Sequence, residues 1–253
     1  MTTELHEYLI SYKALRRLIG VLGLLLPFLC WGFNAIVNHL NLLSNPFFVN
    51  ESQTLAYTAG ADLKSSVSLF YYTAAGPLFT GVLVTLAIFL FCYNGYPQNK
   101  AEDRFAWLTD KRLAAFAACC SLAIVFIPAG SHQPITDNIY IFVSSKPIGM
   151  LHLLAATLFF LSMATMSIVN FRRLPGKRLL KDTEGKLYVI CGVGIIICLP
   201  ILAIHFFVVE NDNWLGGKFV FVMEVIMLTF FSTAWLLKGK SVATELLLKN
   251  IKL

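Results

Sequence analysis

Of the fourteen acidic residues in the chain, Glu224 is the one that falls inside a long apolar run. An ionised carboxylate in hydrocarbon costs about 2.5 to 3.5 kcal/mol or more, so such a group turns toward a partner or a cavity. His152 and His205 lie in two other apolar runs. With Glu224 they would form a two-nitrogen, one-carboxylate set that leaves a zinc position open for an activated water, with His132 as a fourth ligand. The two histidines alone could supply both axial nitrogens of a b-type haem. Neither chemistry comes with a recognised motif, since the chain contains no HExxH and no HxxxH. Asn34, Tyr71 and Tyr72 complete the polar set. A tyrosine has an apolar body and a polar tip, which suits either the mouth of a pocket or an interfacial belt. The spacing predicts that at least one of the two tyrosine hydroxyls turns into the protein.

The elements that must position these residues follow from composition. The 253 residues are 57% hydrophobic and 13% charged, with a mean hydropathy of +0.71. A soluble domain carries about a quarter charged residues. A soluble single-core enzyme, a disordered chain and a nucleic-acid-binding module are therefore excluded. Six runs approach the roughly 20 apolar residues that a spanning helix needs. They cover 18–39, 69–93, 113–130, 148–171, 187–208 and 218–237. Lipid offers no partner to an unpaired backbone group, and the alternation of a membrane barrel is absent. The sequence thus predicts an all-α polytopic membrane bundle of six transmembrane helices, in a single domain. At about 1.5 Å of rise per residue, Glu224, His205 and His152 sit roughly 5 to 10 Å inside the ends of their helices, at the same side. Asn34, Tyr71 and Tyr72 share that layer, which predicts a polar pocket in the outer half of the bundle.

The net charge of +6 reads as a topology signal once the charges are placed. Lys13, Arg16 and Arg17 precede the first run, and Lys100, Arg104, Lys111 and Arg112 fill the second connection. Arg172, Arg173, Lys177, Arg178, Lys181 and Lys186 fill the fourth, and Lys238, Lys240, Lys249 and Lys252 follow the last run. Only Lys64, Lys146 and Lys218 fall on the other side. By the positive-inside rule both termini are cytoplasmic, and a bacterial cytoplasmic membrane is the expected location. The basic side also attracts anionic lipid, by about 1 kcal/mol per basic residue near the surface. Membrane lipids are accordingly the expected partners, and nucleic acid is not.

The first run is too long for a cleavable signal and reads as a signal anchor. Before it, Leu5, Tyr8, Leu9 and Tyr12 recur at helical spacing, which predicts a short surface-lying amphipathic helix; Ser241 to Leu253 reads the same way. The six cysteines all fall in or at the ends of the runs, so no disulfide framework is implied. Cys191 and Cys198 read as packing residues. Gly192 and Gly194, and Ala114, Ala115, Ala117 and Ala118, offer small faces for close helix contact. The connection from Leu40 to Ser68 has room for a short helix or a folded-back loop. Its Asn50-Glu51-Ser52 fits a glycosylation pattern that arises by chance. Lys238-Gly239-Lys240-Ser241 lacks the upstream glycine of a phosphate loop, because position 234 is alanine.

Three stretches carry a family resemblance. They are Ser66-Val67-Ser68-Leu69-Phe70-Tyr71-Tyr72-Thr73, then Phe79-Thr80-Gly81-Val82-Leu83, then Phe89-Leu90-Phe91-Cys92-Tyr93-Asn94-Gly95-Tyr96. Asp110, Ile127-Pro128, His152 and Phe159-Phe160 continue the pattern. The span from Ser66 to Phe171 resembles the bacterial multi-span family known as domain of unknown function 998 and, more distantly, the six-span Frag/DRAM/Sfk group. The resemblance implies a six-helix bundle and no established chemistry. Three functional readings follow. The leading one is a non-enzymatic membrane protein whose outer pocket, lined by His152, His205, Glu224, Tyr71, Tyr72 and Asn34, binds a lipid headgroup or small polar ligand. The alternatives are a metal-dependent lipid hydrolase using His152, His205 and Glu224, and a b-type haem protein. A proton relay through Glu224 lacks a second intramembrane carboxylate or an inverted repeat.

Overall fold

The computed structural model describes residues 2–40, 63–95, 107–127, 129–130, 146–173, 183–209 and 214–239. His132, Asn50 to Ser52 and the tail from Ser241 lie outside the described residues. Among those described there is no strand. Six helices carry the fold: α1 (Thr2–His39), α2 (Gly76–Phe91), α3 (Asp110–Phe126), α4 (Lys146–Thr165), α5 (Thr183–Val208) and α6 (Phe219–Lys238). Among the described residues four stretches are long and apolar enough to cross a membrane, namely Tyr12–His39, Lys146–Asn170, Thr183–Val208 and Phe219–Lys238. The helix Gly76–Phe91 is apolar but shorter.

Each helix packs on its neighbours in chain order, and α6 closes the ring on α1. The helices alternate in direction. The starts of α1, α3 and α5 therefore meet the ends of α2, α4 and α6. Tyr12 Oη accepts from Gly95 N just beyond α2, Arg16 reaches Lys238 O, and Phe171 just beyond α4 packs on Tyr188. Of the described basic residues, Lys13, Arg16, Arg17, Lys111, Arg112, Arg172, Arg173, Lys186 and Lys238 lie at this side, called the basic end; the opposite side is the far end.

Small residues let the ring close. A Cβ on Gly20 would lie 2.8 Å from Leu236 Cγ, and one on Gly23 would strike the Phe231 ring, so α1 and α6 touch nearly backbone to side chain. Gly192 does the same against Ala164 O and Ile168, and Gly194 against Phe230. The buried alanines Ala114, Ala117 and Ala118 of α3 join the core, as do Cys191 and Cys198 of α5. Such faces replace the hydrophobic drive that lipid removes. Hydroxyls on the helices bond their own preceding turn: Thr85 to Gly81 O, Thr165 to Leu161 O and Thr229 to Val225 O. A polar group facing lipid is met internally in this way.

The structure redraws three boundaries. The helix α1 runs unbroken from Thr2, so the stretch holding Leu5 and Leu9 is the first part of α1 and no separate surface helix. The run 69–93 is two elements. A 3-10 helix, Ser68–Tyr72, stops at Thr73, whose backbone is extended and whose hydroxyl accepts from Ala75 N. Pro77, which lacks an amide hydrogen, then sits in the first turn of α2. Finally, α4 widens into a π-helical turn, Met166–Asn170.

Candidate functional site

At the far end each expected residue has its own neighbour. Glu224 lies in the second turn of α6, half-buried, and its Oε2 accepts from Val67 N at 2.6 Å. One turn earlier, Phe221 N donates to Ser65 O at 2.8 Å. Two bonds of opposite sense thus fasten the segment before the 3-10 helix to the start of α6. The carboxylate satisfies a backbone amide that the short helix cannot, as acids at helix starts do.

Tyr72 is buried, and its hydroxyl donates to Ala129 O at 2.7 Å. One tyrosine hydroxyl therefore turns inward, as the spacing predicts. Tyr71 stays half-exposed and packs edge-on against Tyr72 and Phe79. The preceding carbonyl layer of α3 holds His152, whose Nδ1 lies 2.6 Å from Ile127 O. A carbonyl only accepts, so Nδ1 carries the proton, and in the neutral ring Nε2 presents its lone pair. That Nε2 is enclosed and has no hydrogen-bond partner among the described residues; the residue is 7% exposed.

His205 is buried against the Phe219 ring, 4.7 Å between centroids. Asn34 is fully enclosed in α1 and accepts from Asn38 Nδ2 at 3.2 Å. The six residues thus share the far end while each engages a different neighbour. Among the described residues, no three His, Cys, Asp or Glu side chains come together as metal ligands. The pairing of His152, His205 and Glu224 around one ion is therefore not a feature of this structure. Each turns to a different neighbour: Glu224 to Val67 N, His152 to Ile127 O and His205 to the Phe219 ring.

The densest polar network among the described residues lies at the basic end, which the sequence marks as a topology signal and a surface for anionic lipid. Arg16 is 4% exposed. Its guanidinium sits over the rings of Tyr12 and Tyr93, 4.8 and 5.5 Å from their centroids, and reaches Lys238 O. Arg17 Nε donates to Gly239 O at 3.2 Å. Lys238 Nζ donates to Phe171 O at 2.7 Å and lies over the rings of Phe171 and Tyr188. Trp235 packs edge-on against both Tyr93 and Phe171.

Beside it Asp110, also buried, accepts from Asn170 Nδ2 at 2.8 Å, and Arg173 donates to Leu108 O at 2.7 Å. The π-helical turn sets Asn170 in register with Asp110. Gly95 has a φ of 68° and leaves the Asp110 side chain the space that a Cβ would fill. One signal for this network stood in the sequence, the Tyr12 and Arg16 pair four residues apart on one helical face. The long-range partners had none.

Compared with protein-family models, curated proteins and solved structures, the chain matches none.

Proposed function

We propose that the chain is a six-span integral membrane protein with both termini on the cytoplasmic side, which holds a lipid headgroup or small polar ligand at its far end. The helix α2 alone would rise about 24 Å, short of a hydrocarbon core of about 30 Å. The 3-10 helix Ser68–Tyr72 and the Thr73 turn extend that crossing, and α3 pairs with it in antiparallel fashion. The concentration of cations at one end supports the orientation. A cysteine placed at exposed Leu215, after removal of the native cysteines, is expected to react with an impermeant thiol reagent in intact cells. One at Asn94 is not; the opposite pattern inverts the topology.

The observation that carries the binding reading is Nε2 of His152, a buried acceptor without a partner among the described residues. An unmet buried acceptor costs about 1 to 3 kcal/mol, which a donor from a ligand recovers. A hydroxyl or ammonium fits it, and a quaternary amine does not. Phosphatidylethanolamine should therefore raise the melting temperature of the purified protein more than phosphatidylcholine, and His152→Ala should erase the difference. Equal effects of the two lipids on the wild type would refute the assignment. The hydrolase reading has no assembled ligand set among the described residues.

A further inference from the structure

The basic end divides into two populations of cations. Arg16, Arg173 and Lys238 are withdrawn or partly withdrawn from the surface and point at backbone carbonyls near helix ends. Lys13, Lys111 and Arg112 are exposed. These three share one quarter of that end. Tyr12, adjacent to Lys13, reaches the turn at Gly95, and Asp110, adjacent to Lys111, packs on the same glycine. Among the described side chains of this quarter the acid, Asp110, is turned inward onto Asn170, and the outward charged groups are cations.

Trp107 borders the group and is 66% exposed, the placement of an indole at headgroup level. Its carbonyl accepts from Arg112 at 3.1 Å, and Thr109 caps the start of α3, so the turn that carries indole and cations is ordered. We infer that Lys13, Lys111 and Arg112, with Trp107, form a docking surface for an anionic phospholipid headgroup, over the turn that ends α2. The cations sit where the apolar helices give way to polar connections, so their occupant is held in the leaflet. This surface lies at the opposite end from His152 and stands independently of that reading.

The test uses the full chain in neutral detergent, with phosphatidylglycerol as the probe and native mass spectrometry to count retained lipid. K13Q/K111Q/R112Q is expected to lower phosphatidylglycerol retention roughly a hundredfold and to leave phosphatidylcholine retention unchanged. Inorganic phosphate at matched concentration should not displace the lipid; displacement would make this a free-phosphate site and overturn the proposal. Unchanged retention in the triple variant would overturn it as well. Should that variant fail to fold, raising salt on the wild type decides the matter. Retention must fall as screening grows, and indifference to salt refutes the surface.

Discussion

The two ends of the ring use polar residues differently. At the basic end a side chain from one helix reaches the chain end of another, and the links share members. Arg16 ties α1 to the end of α6, Lys238 of α6 ties to the end of α4, and Asn170 and Arg173 tie that end to the start of α3. The cations at Lys238 O, Gly239 O and Phe171 O also meet the negative ends of helix dipoles. At the far end the bonds are separate: Glu224 to Val67, Tyr72 to Ala129, His152 to Ile127. The difference shows that polar groups rigidify a bundle when they share partners. Sharing does not meet every atom: Tyr93 Oη and Asn170 Oδ1 at the basic end, like His152 Nε2 at the far end, have no partner among the described residues. The basic end is the clamp, and the far end is the proposed ligand site.

The comparison breaks most visibly at Arg16. Arg16→Ala removes a buried guanidinium from two aromatic rings and from a helix-end carbonyl, an expected loss of about 3 kcal/mol. Denaturant unfolding in mild detergent, followed by tryptophan fluorescence, measures it. Lys13→Ala, three residues away and exposed, should leave the midpoint in place. Equal shifts for the two would show that the clamp does not exist.

Gly95 gives the next largest effect. An alanine there must hold a left-handed φ, at about 1 to 2 kcal/mol, and must displace the Asp110 side chain from Asn170. The expected total is about 2 to 3 kcal/mol. In an Asp110→Ala background the displacement no longer matters, so Gly95→Ala should fall back toward the backbone strain alone. That coupling, read from a double-mutant cycle, sharpens the claim that the turn and the acid are one unit. Additive effects would separate them.

The sequence made the helical class legible, because apolar runs of spanning length admit few other structures, and it made the polar layer at the far end legible by depth. It turned at least one of Tyr71 and Tyr72 inward, without telling which, and put small residues such as Gly192 and Gly194 at contacts. The grouping of His152, His205 and Glu224 rested on depth alone. Depth fixes one coordinate of three, and the backbone amide of Val67 and the carbonyl of Ile127 settled the rest. The break at Thr73 was hidden because apolar residues continue through it. The clamp was hidden for a different reason. Arg16, Asp110 and Lys238 looked like ordinary flanking charges, and only the closure of α6 on α1 and the π-turn of α4 bring them together.

The smallest expected effect belongs to Glu224, and it separates two roles for a carboxylate near the membrane. If Glu224 serves as the acceptor for Val67 N, glutamine can do the same through its carbonyl oxygen, and alanine cannot. Glu224→Gln should then cost well under about 1 kcal/mol and Glu224→Ala about 1 to 2 kcal/mol. The bond itself can be watched. Hydrogen exchange at the Val67 amide should quicken in the alanine variant and stay near wild type in the glutamine variant. If glutamine accelerates exchange as much as alanine does, the negative charge and not the oxygen holds the segment. The far end would then have an electrostatic linkage of its own, and its contrast with the basic end would shrink to one of degree.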